Sequence, residues 1–203
     1  MPEFLRENPD YIIGIFVLIA TVLGMQFKSM RYIIICQLLS NVLLGMQCIV
    51  GGTVSTGGVV FLAAIQTAIS FFCNYKKIRF PLWLTLSFMA GFSVITVIGF
   101  ISPSIESSPF DLVTMVAVWF FALSIVQQRS WLCRLLLGIN VSLWLIYDIF
   151  ILPSAALNHA IILASILFSI LRNDREEWRL FLCRFSKTHM KNNEKTAVFE
   201  ENH

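Results

Sequence analysis

Apolar runs of about 17 to 22 residues recur along nearly the whole chain. At about 1.5 Å of rise per residue, each is long enough to cross a hydrocarbon core of about 30 Å as a helix. No other backbone arrangement suits such runs, because a helix pairs its own N–H and C=O groups where water is absent. The runs are 11–27, 32–51, 54–73, 82–101, 110–127, 131–151 and 154–172. The breaks are "KSMR", "GGT", "NYKKIRFP", "SPSIESSP", "QQRS" and "LPS". Only 13% of residues are charged and 57% are hydrophobic, whereas about a quarter are charged in soluble chains. The expected class is an all-α integral membrane protein with one seven-helix membrane domain over residues 1–173.

Charge orients it. Lys28 and Arg31 follow the first run, Lys76, Lys77 and Arg79 the third, and Arg129 the fifth, with Arg134 just inside the sixth. Seven more basic residues, beginning with Arg172 at its last position, close and follow the last run, and Glu106 and Asp111 lie on the other side. Of fifteen Lys and Arg, only Arg6 falls there too. The positive-inside rule puts the N-terminus outside and the C-terminus in the cytoplasm. The net charge of +3 is thus a topology signal, and no basic soluble domain exists to bind nucleic acid. The acidic start "MPEFLRENPD" lacks a basic n-region, so no cleaved signal peptide is expected. "REEWRLFLCRFSK" spaces Trp178, Phe181, Leu182 and Phe185 helically. Residues 174–187 are expected to form an amphipathic helix on the anionic inner leaflet, and 188–203 a disordered tail. The five cysteines form no CxxC pair, and neither a metal site nor another cofactor is expected.

A shift of 99 residues lays the first three runs on the last three without a gap. "NVLL" at 41–44 meets "NVSL" at 140–143, and Ser55, Ser70 and Asn74 meet Ser154, Ser169 and Asn173. The expected architecture is 3+1+3: repeat one 11–74, a linker helix 82–101 and repeat two 110–173. Both repeats start outside, so they are parallel and related by an axis along the membrane normal.

"KSMR", "GGTVSTGG", "WLIYD" late in the sixth run and "SILRND" closing the seventh resemble the YgjV-type bacterial inner-membrane proteins. These are distant relatives of the SWEET, PQ-loop and KDEL-receptor superfamily. The resemblance covers residues 11 to about 175 and implies the bacterial inner membrane and a 3+1+3 fold, without naming a substrate. The Pro-Gln kink of the better-known relatives is missing, as is their mid-helix asparagine, since Ala63 and Ile162 hold the centres of the third and seventh runs.

Polar side chains in hydrocarbon must face each other, a backbone carbonyl or a cavity. Asn41 and Asn140 form a symmetric pair at similar depth. Asn140, Trp144 and Tyr147 share one helix face, and Gly45 is the counterpart of Trp144, leaving space opposite an aromatic wall. These residues are expected either to line one cavity or to be packing contacts between helices. Asp148, about one turn from the outer end, reads as a proton-linked group at an outer mouth meeting water or as a helix-end carboxylate in the headgroups. His159, beside Asn158, is the one intramembrane histidine, placed to couple to Asp148 or to be satisfied by a carbonyl. Gln66, with Thr67, Ser165 and Ser169, is a candidate for the inner half of a path.

No HExxH, GxSxG, P-loop or carboxylate cluster is present, so no enzyme is expected. The expected function is a transporter-like protein for an uncharged or weakly charged small polar solute, sugar-like or another metabolite, facilitative or ion-coupled. The alternative is a non-transporting receptor or scaffold of the same fold. The bilayer and that unknown solute are the expected partners, and a homo-oligomer is left open.

Overall fold

The computed structural model describes residues 9–50, 54–101, 111–151 and 153–175. They form seven helices: α1 Pro9–Gln26, α2 Met30–Val50, α3 Val54–Tyr75, α4 Leu82–Ile101, α5 Asp111–Ile125, α6 Ser130–Ile151 and α7 Pro153–Asn173. Each bound lies within two residues of the apolar run that implied it. The amphipathic helix expected beyond Arg175, the tail expected at 188–203, Arg6 and residues 51–53, 102–110 and 152 lie outside the described residues. By length and composition four helices can cross a membrane: Met30–Val50, Gly58–Tyr75, Ser130–Phe150 and Ala156–Asn173. Three shorter apolar helices accompany them.

Burial is inverted relative to a soluble bundle. Phe16, Ile49, Phe61, Trp83 and Leu171 are exposed, while Gln66, Thr67, Ser124, Arg134 and Ser169 are fully buried. Water would not tolerate so large an apolar surface. Hydrocarbon would, and it drives the polar groups inward to find partners. The apolar core draws on every helix: Met25 of α1, Ile33 of α2, Ala63 of α3, Phe92 of α4, Ile125 of α5, Leu137 of α6 and Ile166 of α7 all belong to it.

Neighbours in the chain pack as α1·α2, α2·α3, α5·α6 and α6·α7, and α4 packs on α3 and α5. Two contacts join distant segments, α1·α7 and α3·α5. The hydroxyls of Ser87, Ser93 and Thr96 in α4 donate to the carbonyls of Trp83, Met89 and Phe92 one turn back. That local bonding satisfies the hydroxyl donors within α4 itself, and Ser93 also accepts from Trp119 Nε1 of α5 at 3.0 Å.

The α1–α2 hairpin closes tightly at Gly24, where an added Cβ would lie 2.6 Å from the Cys36 Cβ. Neither atom is the end of a flexible chain, so the helices would have to part. Gly24→Ala is expected to lose about 1–3 kcal/mol, the usual range for overpacking, seen as a lower melting temperature in detergent. An unchanged melting temperature would mean that the hairpin is looser than this.

Candidate functional site

The end of the bundle where α6 turns into α7 holds the most concentrated chemistry. Asp148 sits on the inward face of α6 and is 2% exposed. Its Oδ2 meets Nδ1 of His159, in the second turn of α7. The His159 side chain remains 27% exposed. Trp144, one turn before Asp148, stacks on the imidazole at 6.1 Å between ring centroids and 12° between planes. Tyr147 meets Trp144 edge to face at 5.8 Å. The i, i+3, i+4 spacing of Trp144, Tyr147 and Asp148 places all three on one side of α6. The α6·α7 hairpin then brings His159 across. The result is a titratable pair whose carboxylate is sealed and whose imidazole reaches the surface under an indole lid.

This corrects the reading of Asp148 as a group meeting water at the outer mouth or lying in the headgroups. Depth alone left it near water, but the hairpin covers it and supplies a partner in its place. The contact with His159 is present. Asn158, the residue before His159, is exposed and does not join the cluster.

The mid-helix amides of α2 and α6 go elsewhere. Asn41 donates from Nδ2 to Thr67 Oγ1 at 3.2 Å, in the α2·α3 seam. Asn140 donates to the Ala117 carbonyl at 2.7 Å, in the α5·α6 seam. Their side chains therefore enter separate seams and do not face one cavity. In a dry interior each amide takes the nearest acceptor, and the two halves offer different ones. At Gly45 an added Cβ would meet Val60 Cγ1 at an ordinary 3.7 Å, so no large void stands there.

Two glutamines bridge the distant contacts. Gln66 of α3 donates from Nε2 to the Ala122 carbonyl of α5 at 3.0 Å. Gln26 of α1 donates to Ser165 of α7, to Oγ at 2.8 Å and to the carbonyl at 3.3 Å. A carbonyl needs a donor, so each amide's orientation is dictated. Each Oε1 is thereby turned away, buried and without a partner. Gln26 escaped the sequence reading because it closes the first run and looked like a helix end.

The opposite end of the bundle carries a constellation that no motif in the sequence marks. Arg134 is fully buried and pairs with Asp174, Nη1 lying 2.7 and 2.5 Å from the two carboxylate oxygens. Its Nε donates to the Met25 carbonyl at 3.1 Å, and Nη2 donates to the Phe27 carbonyl. Ser169 also donates to the Met25 carbonyl. Arg172 and Asn173 donate to the Gln26 carbonyl at 2.9 and 3.1 Å. The last carbonyls of α1, which have no partner in their own helix, are thus capped by α6 and α7. The cation also lies at the negative end of the α1 dipole. Arg134 had been counted only as a charge marking the cytoplasmic side. The available signal was an arginine one turn inside an apolar run with a carboxylate, Asp174, closing another.

Residues 10–177 match the family model Imp-YgjV, bacterial inner membrane protein. The match spans most of the chain, so the chain belongs to that family and resides in the bacterial inner membrane. No curated protein and no solved structure matches it.

Proposed function

We propose that this inner-membrane protein is a small ion-coupled transporter for an uncharged or weakly charged polar solute, sugar-like or another metabolite, rather than an enzyme. The observation that carries this reading is the Asp148–His159 pair. A titratable pair in a membrane helix is costly and is a functional site by default. A buried carboxylate tied to a half-open imidazole suits proton exchange with the outer side. The indole of Trp144 and the phenol of Tyr147 suit the apolar face of a sugar-like solute. The unpartnered Oε1 atoms of Gln26 and Gln66 are acceptors for its hydroxyls deeper in.

The architecture proposed with it is two parallel three-helix repeats joined by α4, N-terminus outside and C-terminus cytoplasmic. Under the 99-residue shift α1·α2 corresponds to α5·α6, α2·α3 to α6·α7 and α1·α7 to α5·α3. Ser70 donates to the Ile125 carbonyl at 2.5 Å, and its counterpart Ser169 donates to the Met25 carbonyl, one residue from the exact counterpart. Basic residues gathered at one end support the orientation.

The test is reconstitution into liposomes and uptake of a labelled metabolite panel, with and without a proton gradient. A solute that enters faster than in empty liposomes, faster still with the gradient, is the expected result. If none does so, the transporter reading falls. The separate packing of Asn41 and Asn140 favours a second reading, a receptor or scaffold with no path. Truncation after Arg175, which spares Asp174, then discriminates: under that reading the tail carries the partner, and its loss abolishes binding.

A further inference from the structure

At the basic end of the bundle three connections converge on a groove of about 330 Å³. Its polar lining is Ser29 and Arg31 from the start of α2, Asn74 and Lys77 from the end of α3, and Gln128 from the α5–α6 turn. Every charged group in that lining is a cation. Among the described residues the ion pairs are Arg134–Asp174 and His159–Asp148, so neither Arg31 nor Lys77 has a carboxylate partner there. The Arg31 guanidinium is steadied over the Tyr75 ring, 5.7 Å from its centroid, which leaves the N–H edge free to donate. The α2 N-terminus adds its unpaired backbone donors. Lys77 has φ of 58° in the turn where Ile78 N–H closes on the Cys73 carbonyl at 2.9 Å. Glycine ordinarily takes that position, and a lysine there carries a backbone cost.

The 99-residue correspondence gives the groove its meaning. Asn74 and Tyr75 correspond to Asn173 and Asp174, and Ser29 to Gln128. In the second half the matching seam is closed internally, by Asn173 on the Gln26 carbonyl and by Asp174 on Arg134. In the first half the cation is one turn nearer the helix end, and Tyr75 stands where the carboxylate would be. The first seam therefore has cations of its own, Arg31 one turn from the position that matches Arg134, but lacks the carboxylate.

We propose that this groove binds a phosphate-bearing anion, which takes the part in the first half that Asp174 takes in the second. The chemistry is a phosphate held by a guanidinium, an ammonium and the α2 N–H groups. It is available from an anionic lipid headgroup of the inner leaflet or from free phosphate. This goes beyond the transport reading and stands if that reading fails, since no uptake enters its test.

The full chain is placed in phosphatidylcholine nanodiscs, then in nanodiscs containing phosphatidylglycerol, then in the first kind with added inorganic phosphate. Thermal unfolding is followed in each. Phosphatidylglycerol or phosphate is expected to raise the melting temperature by roughly 3 °C or more. A rise with the lipid alone identifies the headgroup as the source, and a rise with phosphate in the neutral nanodisc identifies the free anion. The double variant Arg31→Gln/Lys77→Gln is expected to abolish the rise, while Lys76→Gln/Arg79→Gln, equal in charge but outside the groove, keeps it. The proposal is overturned if neither probe raises the melting temperature, or if the two double variants lose the rise equally.

Discussion

Arg134→Leu is expected to be the most damaging single substitution in the bundle. It leaves Asp174 buried without its counter-charge, a change that costs about 3–5 kcal/mol. It also strips the Met25 and Phe27 carbonyls of a donor, at about 1–3 kcal/mol for a buried unsatisfied group. Against a total stability of about 5–15 kcal/mol, the α1·α7 contact should open. Asp174→Asn should cost less, because the amide oxygen still accepts from the guanidinium. The double variant Arg134→Leu/Asp174→Leu should recover only part of the loss. Removing both charges heals the ion pair but does nothing for the α1 carbonyls. Cys133, fully buried beside Arg134, reports the opening: its maleimide labelling should rise sharply in Arg134→Leu and little in Asp174→Asn. Full recovery in the double variant would show that the capping of α1 contributes nothing.

The second large effect concerns Asp148 and His159. The contact ties α6 to α7 across their hairpin. His159→Ala leaves the buried carboxylate without its partner, at about 1–3 kcal/mol for an unsatisfied buried group, and should lower the melting temperature more than Asp148→Asn, whose amide can still bond the imidazole. Because the imidazole stacks on Trp144, indole fluorescence should shift in His159→Ala, and the Trp144→Phe difference isolates that shift from the other four tryptophans. Asp148→Asn should abolish the stimulation of uptake by a proton gradient. A gradient response that survives Asp148→Asn unchanged would remove the pair from the coupling mechanism.

Much of the fold was legible because hydrocarbon imposes few choices. An apolar run of span length must be helical, and breaks such as "NYKKIRFP" must lie at its ends. That is why all seven helices stand where the runs put them. The candidate site was legible only in part. His159 and Asp148 could be suspected because each is costly at its depth, and the hairpin between α6 and α7 is short enough to bring them together. Asn41 and Asn140 looked like one site because the repeat aligns them. Alignment equates positions, not the acceptors around them, and Thr67 and the Ala117 carbonyl drew the two amides apart. Arg134 was hidden by the rule that made it useful. Basic residues at helix ends mark the inner side, and nothing in that rule distinguishes a solvated arginine from one folded inward.

The sequence by itself determined the class, the number of helices, their ends and the family, since each follows from length, polarity and motif along the chain. Only the tertiary structure decided which polar groups are partners. His159 with Asp148, Arg134 with Asp174 and the α1 carbonyls, and Gln26 with Ser165 join helices that a linear pattern leaves unrelated. Their pairing depends on how α7 returns against α6 and α1. A buried polar group commits to whichever donor or acceptor packing brings within about 3 Å, and packing is a property of the whole bundle.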